Sequence, residues 1–515
     1  MAAQESPGVM IGTRPRARWV VPCFLVPLGI LLYGCNADEG PAGPPDPTVP
    51  SGPLPRPHDD RVFTIDESEL AFAPRPGATA FYGLHEGVHG NAGYRIEVPD
   101  DWNGTLVMYA HGFRGEVKEL RVSNPVIRSH LIENGYAWAA SSFSANYYDV
   151  RAGVEDTNAL ALAFEELTGE SRPTRYYIIG HSMGGHISAA TVERETLATA
   201  RNRVEYAGAV PMCGVLGDME QMDYFVAYIV ALRHLAGVPV SSFPMFDHRS
   251  QFPAVRAALW LDFDADPSAL TPQGEKAKGI LMNLSGGERP TFDEGFGVHQ
   301  SRIQGYGGVD GTWFGVLPGN AVVTTDIDYR FDDDPALSQE EREFNAAVFR
   351  VEGDPEGVNP PRPDGVRAIP ILHGQFDVPV VTLHTLGDLF VPFVNQQIYA
   401  RRAARQGSAG RLIQRAIRET GHCTFATSEE AAAFDDMVLW AEDGVVPAGD
   451  DVLSPEAVRD PNYGCTFTLI TRSGIPPCGS AFQDPGEADA LESPVWATAA
   501  TAGPLREAGI SGSHP

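Results

Sequence analysis

The sequence predicts an α/β protein: a mostly parallel sheet with helices on both faces, interrupted by one large insertion. Three observations carry this expectation. Short apolar runs alternate with helix-patterned stretches from about residue 79 to residue 212, and strands separated by helices build a parallel sheet covered on both sides. The alternation then breaks down and resumes only near residue 379, an interval far longer than an ordinary strand-to-strand connection. Finally, the apolar run Tyr176–Gly180 ends in Gly180-His181-Ser182-Met183-Gly184-Gly185, the composition of a sharp strand–turn–helix junction.

Taken in order, Thr79–Leu84 and Tyr94–Val98 read as an antiparallel opening pair. Thr105–Ala110 (TLVMYA) is a buried strand ending at His111-Gly112. A helix is expected around Val122–Asn134, a strand at Ala137–Ser142 and an amphipathic helix at Asp156–Leu167. After Tyr176–Gly180 a helix begins near His186, followed by a strand at Tyr206–Met212. Residues 215–370 form the expected cap, with helical patterns at Met222–Leu235 and Gln339–Val351 among many Gly, Pro and Asp residues. Alternation returns with a strand at Pro379–Leu383, a helix at Pro392–Gln406, a strand at Arg411–Ile417 and a helix at Ser428–Asp443. Residues 61–214 and 371–445 are thus the expected core, and 446–515 a loop-rich extension.

The first 34 residues have the pattern of an export signal. Arg14, Arg16 and Arg18 precede the apolar run Val20–Leu32, which is short and interrupted by Pro22 and Pro27, so it does not suit a membrane span. The run ends in Leu32-Tyr33-Gly34-Cys35, which resembles the lipobox of bacterial lipoproteins. That resemblance implies lipidation of Cys35 and an extracytoplasmic, membrane-anchored protein. Residues 35–60, rich in Pro and Gly, read as a disordered tether. Export leaves Cys213, Cys423, Cys465 and Cys478 in an oxidising compartment, where four cysteines allow three pairings. Cys465 and Cys478 are the local pair, which leaves Cys213 with Cys423.

Composition narrows the function. The net charge is −29, and Lys118, Lys276 and Lys278 are the only lysines. Such a surface disfavours a nucleic-acid partner, because phosphate binding needs basic side chains. No phosphate-binding or dinucleotide motif is present, so no cofactor is expected. Asp262-Phe263-Asp264-Ala265-Asp266 opens like a calcium loop, but Pro267 and Gln273 stand where the required glycine and the closing glutamate would be. A solvated acidic turn is the expectation, and no metal site.

Gly-x-Ser-x-Gly alone is a weak signal, and a glycine-rich loop with a chance serine would also produce it. Here an apolar strand precedes it and a helical pattern follows, the context of a nucleophile elbow that lifts Ser182 Oγ above the sheet. With Gly-His-Ser-Met-Gly-Gly in that setting, the chain resembles secreted esterases and lipases of the α/β-hydrolase superfamily, over about residues 95–215 and 378–443. The resemblance implies a Ser–His–Asp triad whose acid and then histidine follow the serine in the chain. Asp388 and His422 fit that order, each just past a strand, where groups of open α/β sheets converge. Among competitors, Asp377 precedes its strand, His384 suits packing, His181 and His186 suit local hydrogen bonds, and His514 lies in a tail. The superfamily pattern also implies an oxyanion hole from the backbone N–H groups of Met183 and, within the loop after His111-Gly112, Phe113. In tannase- and feruloyl-esterase-like relatives a Cys after the catalytic His bridges to one before the nucleophile. Here His181 occupies that preceding position, with Cys213 as the substitute partner for Cys423.

The expected activity is therefore hydrolysis of small-molecule, lipidic or polymeric carboxylic esters through an acyl-enzyme. A serine peptidase on the same fold and a non-catalytic surface binding protein remain alternatives. The cap aromatics Trp260, Phe292, Phe296, Tyr306, Trp313 and Phe314 either line a pocket or fill the cap's own interior.

Overall fold

The computed structural model describes residues 61–305 and 308–479. The expected export segment, Cys35, the tether, Tyr306, His514 and the end of the C-terminal extension lie outside the described residues.

Eight strands form one sheet: β1 (Ala78–Gly87), β2 (Gly90–Pro99), β3 (Thr105–Ala110), β4 (Ala137–Ser141), β5 (Arg175–His181), β6 (Gly208–Met212), β7 (Val380–Thr385) and β8 (Leu412–Ile417). Their spatial order is β8-β7-β6-β5-β3-β4-β2-β1, and β2 runs antiparallel to both of its neighbours while every other pairing is parallel. This is the α/β-hydrolase fold. The central strands are apolar without alternation because both faces are covered. All six residues of β3 are buried, whereas the edge strand β1 is mixed.

The helices flanking the sheet begin with α1 (Arg128–Glu133), α2 (Val150–Thr168), α3 (Met183–Thr191) and α4 (Arg194–Thr199). Asp149 caps α2 by accepting from the Ala152 amide at 2.9 Å, and Gly169 ends it in a left-handed conformation. The helix expected around Val122–Asn134 is only one short segment, α1. Pro125 stands before it, and the preceding side chains Ser123 and Asn124 are engaged by Arg114 and Arg95.

Residues 213–379 lie between β6 and β7. They hold α5 (Glu220–Leu235), α6 (His248–Leu259), α7 (Pro272–Leu284), α8 (Phe292–Gly305) and α9 (Gln339–Ala347), with a two-stranded hairpin over 260–270. The last of these helices stops four residues before the expected Val351. The Asp262–Asp266 stretch is the turn of the hairpin, with Asp262 accepting from the Ala265 amide at 3.1 Å. Apolar side chains from α5, α7 and α8, including Phe225, Ile280 and Phe296, join those of Met108, Ile178 and Leu216 in one continuous buried cluster. The insertion therefore shares an interior with one face of the sheet. The other face is covered by α1 and by the last long helix of the core, through Leu131, Phe434 and Met437. The final core helices are α10 (Val394–Gln406) and α11 (Thr427–Asp443).

Among the described residues, no helix is long and apolar enough to cross a membrane.

Candidate active site

The site forms where the parallel strands end together. Register pairs Ala110 with Gly180, His181 with Met212 and Met212 with Leu383, so the loops after β3, β5, β6 and β7 meet at one edge. Ser182 sits between β5 and α3 with φ 58° and ψ −118°. A non-glycine residue rarely holds such a backbone, which persists only where the surroundings fix it. Two glycines make it possible. A Cβ on Gly180 would lie 2.1 Å from the Gly184 carbonyl, and one on Gly184 would lie 1.9 Å from the Ala110 carbonyl. Only hydrogen fits at either position. The helix starts at Met183, three residues earlier than the pattern near His186 suggests, so the turn is as short as a strand–helix junction allows.

The structure brings Ser182, His422 and Asp388 together. His422 Nε2 is 2.8 Å from Ser182 Oγ, and His422 Nδ1 is 2.5 Å from Asp388 Oδ2. Asp388 Oδ1 accepts from the amides of Phe390 at 2.9 Å and Val391 at 3.1 Å. An ionised carboxylate only accepts, so Nδ1 of His422 carries the proton and Nε2 faces the serine hydroxyl with its lone pair. Burial pushes the Asp388 carboxyl up, but the adjacent His422, through its hydrogen bond and the positive charge it carries when protonated, holds it well below the usual carboxylate range. All three side chains are shielded: Ser182 is 6% exposed, His422 5% and Asp388 0%. A hydroxyl, an imidazole and a buried carboxylate in that order can generate a nucleophilic oxygen.

The loop after β3 passes over the serine. A Cβ on Gly112 would stand 3.8 Å from Ser182 Oγ. Met183 is the first residue of α3, where a backbone N–H has no acceptor within the helix. Phe113 follows Gly112 and stacks on Phe314 of the cap with ring centroids 4.9 Å apart. Trp313, next to it, packs on Tyr148 at 4.9 Å, and both Trp313 and Phe314 have positive φ. Of the other cap aromatics, Trp260, Phe292 and Phe296 are buried, and Phe296 joins the shared interior.

The competing residues occupy other places. Asp377 pairs at the surface with Arg194. His384 is buried in β7, receives a 3.3 Å hydrogen bond from Gln396, and is pushed down to about 4 by burial. His181 and His186 do not bond locally. His181 Nε2 meets Glu430 of α11 at 3.0 Å, and His186 meets the Pro370 carbonyl at 2.8 Å and the Tyr148 hydroxyl at 3.2 Å. Both rings point away from the turn into the packing on either side of the sheet, so distant partners satisfy them. His111, at the end of β3, stacks on Phe143 at 4.1 Å, and burial with nearby Arg114 pushes it down to about 3.

Among the described residues there are two disulfides. Cys213, immediately after β6, bonds Cys423 with Cα atoms 5.3 Å apart, and Cys465 bonds Cys478 with Cα atoms 5.7 Å apart. The Cys423 sulfur lies 3.5 Å from Nε2 of His422, so the first bridge braces the histidine loop. Cys213, His422 and Cys423 stand close enough together to hold a metal ion, but the disulfide and the hydrogen bonds of His422 already engage all three.

Sequence reasoning overlooked a set of side chains that hold the two loops carrying Asp388 and His422. Arg289 donates to the Leu386 carbonyl at 2.7 Å, Tyr224 to the Leu389 carbonyl at 2.7 Å and Gln221 to the Phe390 carbonyl at 3.0 Å. His299 bonds the Thr420 carbonyl at 2.6 Å. Arg472, from the C-terminal extension, pairs with Glu419 at 2.9 Å and Glu429 at 2.6 Å. No spacing signal marks these partners, because each lies far along the chain from the loop it holds.

No family model matches the chain. Over 399 residues it is 23% identical to an o-phthalyl amidase of Xanthobacter agilis, covering 69% of this chain and 86% of that protein. Among solved structures it is similar to feruloyl esterase B from Aspergillus oryzae, with 14% identity, a TM-score of 0.39 and coverage of 75% of this chain and 86% of that one. It is also similar to the acylaminoacyl peptidase of Pyrococcus horikoshii, with 8% identity, a TM-score of 0.35 and coverage of 73% and 43%. The chain thus spans less than half the length of the acylaminoacyl peptidases it matches.

Proposed function

On this α/β-hydrolase scaffold, we propose that the chain is a serine hydrolase cleaving carboxylic esters through an acyl-enzyme. The observation that carries the reading is the unbroken relay from Ser182 Oγ through His422 to Asp388, at 2.8 Å and 2.5 Å. His422 takes the Ser182 proton as Oγ attacks the acyl carbonyl, and the backbone N–H groups of Met183 and Phe113 receive the oxyanion. His422 then protonates the departing alkoxide, and the alcohol leaves Ser182 acylated. Water, deprotonated by His422, attacks the acyl carbon, and His422 returns that proton to Ser182 Oγ as the acid leaves. Asp388 keeps the imidazole in the required tautomer and balances its transient charge. No step calls for a cofactor.

Amide substrates are a second reading, favoured by the similarity to an o-phthalyl amidase; peptide bonds fall within it. Export and lipid anchoring at Cys35 are part of the proposal and rest on the N-terminal sequence alone.

Parallel assays of p-nitrophenyl acyl esters, acyl anilides and peptide amides, each with Ser182→Ala as control, test the reading. Turnover of esters that Ser182→Ala abolishes supports it. Turnover confined to amides shifts the assignment to the second reading, and turnover of any class that survives Ser182→Ala ends both. Radiolabelled palmitate incorporation lost in Cys35→Ala tests the anchor.

A further inference from the structure

We propose that His299, on α8 of the cap, is a positioning residue for the proposed reaction, tying the histidine loop and the acid loop into one catalytic geometry. This rests on the reading of Ser182, His422 and Asp388 as a triad. His299 is buried and its Nε2 lies 2.6 Å from the Thr420 carbonyl and 4.0 Å from Asp388 Oδ1. Thr420 is two residues before His422. A carbonyl cannot donate, so His299 supplies the proton and Nε2 carries it. One N–H therefore fixes the loop that presents the base and lies beside the carboxylate that orients it.

The helix that carries His299 is pressed onto the acid loop. A Cβ on Gly295 would fall 2.1 Å from the Gly387 carbonyl, so α8 and residue 387 touch backbone to backbone. Gly387 in turn donates to the Glu419 carbonyl at 2.8 Å, and Thr385 Oγ1 donates to the Gly421 carbonyl at 2.8 Å. The acid loop, the histidine loop and α8 are thus linked pairwise, and His299 is the side chain that reaches both loops. Burial pushes its imidazole below the ordinary histidine range, so it works as a neutral donor. The groups facing it are Asp388, His422, the Thr420 carbonyl and Arg302 of its own helix.

Removing the donor leaves the Thr420 carbonyl without this partner and lets the loop drift. Misplacement of a base by a fraction of an ångström lowers the chemical step while leaving substrate binding nearly intact. The full chain is compared with His299→Gln, which keeps an N–H donor, and His299→Met, which fills similar space without one. The readouts are kcat and KM on a p-nitrophenyl acyl ester and the rate of Ser182 labelling by a fluorophosphonate. His299→Met is expected to lower kcat and the labelling rate by at least about ten-fold with KM within about two-fold, and His299→Gln to recover most of the loss. His299→Met matching the parent overturns the proposal, and so does His299→Gln being as slow as His299→Met. Should His299→Met not fold, His299→Asn, whose shorter amide falls short of Thr420, takes its place with the same outcomes. Absence of Ser182-dependent turnover in the unsubstituted chain would overturn the triad reading as well, whereas a parent-like His299→Met removes this proposal alone.

Discussion

Gly184 lies against the end of β3, so close to Ala110 that the carbonyl oxygen of Ala110 occupies the space a Cβ would need, 1.9 Å away. The turn at Ser182 is therefore shaped by its neighbouring strand as much as by its own residues.

Gly184→Ala should lower stability by at least about 3 kcal/mol, the upper end of the usual overpacking range, because the obstacle is backbone and cannot rotate away. It should also slow fluorophosphonate labelling of Ser182. Urea unfolding and labelling kinetics check both, and a variant with parent stability would refute the contact.

Asp388→Asn keeps the size of the side chain but offers His422 an amide that can donate where an acceptor is needed. The imidazole then favours the wrong tautomer, and kcat should fall by about three to four orders of magnitude with the fold retained. Ester turnover measured alongside circular dichroism tests this. A fall of less than about ten-fold would remove Asp388 from the relay.

Asp223, on α5, accepts from the Val323 amide at 2.7 Å, and burial raises its carboxyl from the ordinary 3.8 to about 8. The unfolded chain loses this proton near pH 4, while the folded chain keeps it until about pH 8. Between those values the folded state holds more protons, so stability falls as pH rises through the window and levels off above it. Asp223→Asn retains the acceptor without the charge. Its melting temperature should meet that of the parent near pH 4 and exceed it by at least about 2 °C at pH 9. No separation at pH 9 would show that the carboxylate ionises there without penalty.

The two disulfides should differ in weight. Cys213–Cys423 spans a sequence separation of 210 residues and Cys465–Cys478 one of 13. Chain entropy alone gives about 5 kcal/mol for the first and about 3 kcal/mol for the second. Denaturant unfolding of the two double-alanine variants measures the difference, and equal losses would contradict it.

Much of the core was legible because its signals are local. The runs at Thr105–Ala110 and Tyr176–Gly180 are apolar without interruption, and Ser182, Asp388 and His422 each follow a strand that can be read directly. The cap was legible only in part. The helix α6 contains Pro253, and α7 and α8 contain Gly274, Gly279, Gly295 and Gly297, residues that read as breaks. Gly279 and Gly295 are there because a neighbouring backbone leaves no space for a side chain, with Phe331 and Gly387 as the obstacles. That reason exists only in the folded chain. His299 escaped notice on the same ground, since its partner Thr420 is 121 residues away and nothing near it in sequence announces the contact. The partners of His181 and His186 were not legible, because Glu430 and Pro370 come from segments far along the chain.

The Cys213–Cys423 bridge joins the chain just ahead of the cap to the loop just beyond β8. Everything between those points forms a covalent ring. A protease that nicks an exposed cap segment once would leave two fragments still bonded, migrating together until a reductant separates them. Damage to the cap would thus open the ring without releasing either half of the chain.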